Sequence, residues 1–223
     1  MPLQNDISNF ITRSQDPVRV PDPPTRLLIE LYANGLLGRY RETELALFQI
    51  NQLGYVFPKP ADATGFSDKE RIHFYSDGYW VFTRSIFDIL AQVINQTHNL
   101  GIPEQNCDFS TLLRTINGTR PGDPLTNILN GISGSPQFIA LNAYRNCSLH
   151  RRQVYLEGRK TEKDYGTPGY STGLFTSYDW LLCDDPLLVT PTLANNYLVA
   201  QYCTTIFQFI ESQISSIINV LIP

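Results

Sequence analysis

An arginine, an asparagine and a histidine fall within six residues in Arg145-Asn146-Cys147-Ser148-Leu149-His150, and Arg151 and Arg152 follow directly. An imidazole titrates near neutrality, so it can take a proton from a ribose 2′-hydroxyl or return one to a leaving 5′-oxygen. A guanidinium is permanently charged and presents a planar fork of donors. That suits a phosphate and the extra negative charge that develops on it during displacement. As a purely structural pairing the combination is poor, since a neighbouring cation disfavours the imidazolium. The residue types and their closeness therefore read as phosphodiester chemistry.

Ser135-Pro136 is a cap followed by a first-turn proline, and it predicts a helix from there to about Glu157. On that helix Asn142, Asn146 and His150, each four residues apart, form one polar stripe. Arg145 stands roughly 140° from His150 at 100° per residue. Its long stem can carry the guanidinium back over the same surface. Asn146 is placed to orient either group by hydrogen bonding.

Charge fits an anionic ligand at this spot, and taken alone it fits a solvated charged loop as well. From Arg145 to Lys163 there are six basic residues against Glu157 and Glu162, whereas the chain as a whole carries a formal charge of −4. An acidic body excludes a general nucleic-acid coat protein. A basic run on it fits a grip on one stretch of backbone, with Arg151, Arg152, Arg159, Lys160 and Lys163 as the phosphate contacts and Asn142 beside them.

Other candidates have blander readings. His73 and His98 lack an arginine at the matching spacing and read as helix-surface histidines. Arg84 and Asp88, four apart, read as a helix ion pair. Asp184-Asp185 before Pro186 reads as a turn. The cysteines at 107, 147, 183 and 203 are too scattered for a zinc site or a disulfide framework. No metal and no cofactor is implied.

The elements that must position these residues read as helices. Hydrophobic content of 42% and charged content of 17% in 223 residues fit one folded domain, 25–223, behind an extended arm. The arm is residues 1–24, ending in four prolines between Asp16 and Pro24. A helical pattern follows to about Gly54 (Leu27, Leu28, Leu31, Leu45, Phe48), with a break near Gly35 and Gly38. Phe57-Pro58-Lys59-Pro60 and the six residues after it form a loop. Ser67-Asp68-Lys69-Glu70 is a capping box, opening a helix whose seam is Ile72, Tyr75, Tyr79, Phe82, Ile86, Ile89 and Val93. Short helices are expected over 109–117 and 124–132. Gly158 to Thr190 reads as a long loop with room for a small hairpin or short helix near Tyr178–Cys183. Thr190-Pro191 opens a terminal helix to about Leu221. The whole is an all-α, up-and-down bundle of about four long helices plus short ones. The N-terminus has no signal-peptide character and no stretch is apolar enough to span a membrane, so the expected location is cytoplasmic.

The motif Arg145-Asn146-x3-His150 in an all-α chain resembles the Arg-x(4–6)-His motif of the HEPN superfamily, in which a polar residue commonly follows the arginine. The resemblance implies a helical bundle that forms a homodimer, two motifs facing each other in one composite, metal-independent ribonuclease site. It makes Arg145, Asn146 and His150 the catalytic set and RNA the partner. It also implies a place in toxin–antitoxin or other defence systems, with an antitoxin or regulatory protein as a further partner. The alternative is a non-catalytic helical-bundle module that binds a protein or nucleic acid without cutting. His150 exposed in a cleft fits the first, His150 buried with a fixed partner the second.

Overall fold

The computed structural model describes residues 2–53, 65–150, 153–164, 174–183 and 197–221. The Phe57–Pro60 loop, Arg151, Arg152, the Asp184-Asp185 turn and the Thr190-Pro191 helix start lie outside these residues. The order is α1 (Pro2–Ser14), α2 (Pro23–Leu53), α3 (Asp68–His98), a 3-10 turn (Glu104–Asn106), α4 (Phe109–Thr119), α5 (Pro124–Ser133), α6 (Pro136–His150), β1 (Leu156–Asp164), β2 (Leu174–Leu182), β3 (Tyr197–Leu198) and α7 (Val199–Leu221). The class is all-α, with one small sheet added.

The chain divides into two compact units, interleaved in sequence. The first is Met1–Glu42, Phe82–Asn142 and Ile206–Pro223, the second Thr43–Val81 and Ala143–Thr205.

In the first unit the expected extended arm is instead helix α1, because Leu3, Ile7, Phe10 and Ser14 recur at helical spacing and are all buried. The prolines act as helix punctuation. Asp16 accepts the Val18 amide in a tight turn at 2.9 Å, and Asp22 caps α2 by accepting from the Thr25 amide at 2.9 Å. Pro23 and Pro24 then occupy the first turn, where no amide partner is needed. No break occurs at Gly35 or Gly38, and α2 is continuous. Its core line is Ile29, Ala33, Leu36 and Tyr40, while Leu27 and Leu31 are exposed. Phe87, Phe109 and Phe138 form a triangle with centroids 4.8–5.5 Å apart. Tyr40 stacks on Phe207 and donates its hydroxyl to Glu211 at 2.6 Å.

The second unit is built on Trp80, fully buried, with Tyr144 stacked on it at 4.6 Å and Tyr79 edge-on at 5.0 Å. Tyr79 donates to the Cys203 carbonyl at 2.7 Å. The capping box forms as expected: the Ser67 amide donates to Glu70 at 2.7 Å and the Glu70 amide to Ser67 Oγ at 3.3 Å. Of the expected seam, Ile72, Tyr79, Ile86 and Val93 are fully buried and Tyr75, Phe82 and Ile89 partly so.

The C-terminal side of the motif differs in part from expectation. The helix ends at His150 and not near Glu157. The expected loop contains a long antiparallel hairpin, β1 against β2, in register from Leu156↔Leu182 to Asp164↔Leu174. The last helix begins at Val199, after a two-residue strand paired with β2. The hairpin is anchored by its base, where Leu156, Trp180, Leu181 and Leu182 are buried.

Candidate functional site

Helix α6 carries the motif. Ser135 caps it, accepting the Phe138 amide at 3.2 Å, and Pro136 supplies a first residue already at helical φ. Phe138, Leu141, Tyr144 and Cys147 are buried along one line. That line leaves Arg145 half-buried and Asn146, Leu149 and His150 exposed. The Arg145 guanidinium donates through Nη1 to Asn146 Oδ1 at 2.9 Å, so the asparagine holds the fork along the helix surface. His150 is the last residue of α6.

In the second unit the end of α6 is tied to α3 by an acid that sequence reasoning missed. Asp77 accepts a hydrogen bond from the Ser148 hydroxyl at 2.9 Å, and also from the Val154 amide and the Gln153 side chain. These donors bracket His150. Burial pushes the Asp77 carboxyl above its ordinary pKa, and the three donors only partly offset it. Nothing local in the sequence marks Asp77, because its partner Ser148 is 71 residues away.

His73, one turn before Asp77, is half-buried, with Nδ1 lacking a hydrogen-bond partner. Burial lowers its pKa, with Lys69 adding to the effect and the Val154 backbone opposing it. In the first unit His98 is likewise half-buried and pairs with Arg120; burial first and Arg120 second lower its pKa, against Asp123. The surface reading of both histidines is therefore corrected: desolvation keeps each of them neutral more readily than a solvated imidazole.

The remaining expected contacts are distributed as follows. Asn142, in the first unit, accepts a hydrogen bond from Arg84 Nε. Arg84 is itself buried over the Phe138 ring, 5.3 Å from its centroid, and donates to Asp88 at 2.7 Å; Asp88 also accepts the Phe109 amide at 3.1 Å. The expected Arg84–Asp88 ion pair is thus present, and it recruits Asn142 into an internal network. Arg159 is exposed on β1. Lys160 and Lys163 lie on the same strand, opposite Tyr178 and Phe175. The four cysteines are buried and free. Among the described residues no group of three His, Cys, Asp or Glu side chains comes together in a way that would hold a metal ion, and no helix is long and apolar enough to cross a membrane.

The site is thus a phosphate-sized fork and an exposed imidazole on one helix end, which the half-buried Asp77 carboxyl ties to α3 through Ser148. Against known families, the model of the Cthe2314-like HEPN family matches residues 32–172, which include the whole of α6. No curated protein and no solved structure matches the chain.

Proposed function

The chain belongs to the Cthe2314-like HEPN family, and we propose that it is a metal-independent endoribonuclease acting as a homodimer. His150 moves the proton, Arg145 clamps the phosphate, and Asn146 holds Arg145 in place. The 2′-oxygen attacks phosphorus, the 5′-oxygen departs with a proton, and the product ends in a 2′,3′-cyclic phosphate. In the homodimer two α6 ends would pair about a two-fold axis, so that the motifs of both subunits form one composite site.

The observations that support this reading are that His150 is exposed and that, on the same helix, the Arg145 guanidinium is already held by Asn146. His73 and His98, by contrast, are half-buried. Arg159, Lys160 and Lys163 on β1, together with Arg151 and Arg152, supply the backbone contacts. Neutralising phosphates in this way makes the affinity fall with salt.

The test is RNA cleavage in chelator. His150→Ala and Arg145→Ala should each lower the single-turnover rate by about 10²–10⁴-fold, the usual worth of a positioned acid–base or transition-state donor. An equimolar mixture of the two variants should regain activity if the site is shared between subunits. Cleavage by both variants at the wild-type rate removes the proposal.

A further inference from the structure

A concavity of about 600 Å³ opens in the second unit, lined by Phe66, Glu70, Arg71, Phe74 and Tyr75. Its volume is in the range of small-ligand pockets. Two of its walls are aromatic rings left open to water, Phe74 being 73% and Phe66 58% exposed. The Phe74 ring meets Tyr75 edge-on, centroids 5.4 Å apart. The Glu70 carboxylate is engaged in capping α3: it accepts the Ser67 amide and hydroxyl at 2.7 and 2.6 Å, and these bonds hold its pKa below the ordinary value. Arg71, in ionic contact with Asp68 at 3.7 Å, lines the same concavity.

The pocket's position in the unit indicates what it serves. Going backwards along α3, Trp80 meets Tyr144, Asp77 meets Ser148, and His73 meets Val154. The two helices run antiparallel, so the start of α3 lies at the His150 end of α6. Phe74 precedes Asp77 by three residues, about 5 Å along the helix axis.

From this geometry we infer that the pocket takes an unpaired nucleobase of single-stranded RNA, stacked on Phe74 beside the scissile linkage. This deepens the ribonuclease reading and rests on it. Attack by a 2′-hydroxyl needs the nucleophile in line with the departing oxygen, an arrangement that a duplex backbone resists and a splayed single strand adopts. Exposed aromatic faces are what such a strand stacks on, with little regard to base identity.

The experiment uses the full chain carrying His150→Ala, so that cutting does not interfere. Affinity for a short single-stranded RNA and for the same sequence as a duplex is measured at physiological salt, with and without a change at Phe74. Phe74→Leu should weaken single-strand binding roughly 5- to 100-fold, the worth of one stacked base. Phe74→Tyr should restore it, and duplex binding should stay unchanged. Phe74 is exposed, so both variants should keep the circular dichroism and melting of the parent.

Equal loss on duplex and single strand, or no loss, overturns the inference while leaving catalysis by His150 intact. Unchanged RNA affinity with a dimer that dissociates in Phe74→Leu overturns it in favour of a second copy of the chain as occupant. Conversely, a Phe74-dependent single-strand affinity in a wild-type protein that never cuts RNA would uphold the pocket and sink the nuclease.

Discussion

Replacing Asp77 by alanine separates bracing of the motif from its chemistry. Three donors converge on this carboxylate, from Ser148, Val154 and Gln153. Val154 is buried, so its orphaned amide carries the full penalty of about 1–3 kcal/mol, while the half-buried Ser148 sits at the low end of that range. Some return comes from no longer burying a charge, since the raised pKa shows that the ionised form is disfavoured there. The net loss should be about 2–3 kcal/mol, a fall in melting midpoint of about 4–12 °C for a chain of this size. The assay is thermal and urea unfolding of wild type, Asp77→Ala, Ser148→Ala and the double variant. The cycle should give a coupling of about 0.5–1.5 kcal/mol.

The pH dependence has a definite sign. The native pKa of Asp77 lies above the unfolded value near 3.8, so native protein takes up the proton first as pH falls. That contribution to stability is complete below about 3.8 and is lost as pH rises through the raised native value. Asp77→Asn should abolish it, so the wild type should gain on the asparagine variant as pH falls from neutrality towards 4. A loss in Asp77→Ala below about 0.5 kcal/mol, or additive effects in the cycle, would refute the bracing role.

Other outcomes follow from the same contacts. Trp80→Ala should cost about 3–5 kcal/mol by unfolding, since the ring is wholly buried among Tyr79, Tyr144 and Tyr202. Ser67→Ala should remove about 1 kcal/mol by breaking the capping box, with the loss confined on hydrogen exchange to the first turns of α3. Asn142→Ala should lower stability by about 1–2 kcal/mol through the orphaned Arg84 Nε and leave RNA affinity unchanged; an RNA-specific defect in a fully stable variant would return Asn142 to the binding surface.

What the sequence determined by itself is what repeats along it. Apolar residues every three or four positions specify helices, so α2, α3, α4, α5 and α7 were readable, as were the Ser67–Glu70 box and the compact Arg145–His150 motif. The α1 pattern Leu3, Ile7, Phe10, Ser14 was equally present, and the prolines after it masked it. Tertiary structure decided which of several apolar lines is buried. In α2 the line is Ile29, Ala33, Leu36 and Tyr40, and Leu27 and Leu31 are left in water.

It also made a strand of Leu156–Asp164, a charged stretch with little β character of its own, by pairing it with the aromatic Leu174–Leu182. Only the fold could bring Ser148 to Asp77 and Asn142 to Arg84, across 71 and 58 residues. Periodicity is a property of neighbours in sequence. A hydrogen bond between distant residues depends on how the helices dock, and no local pattern encodes it.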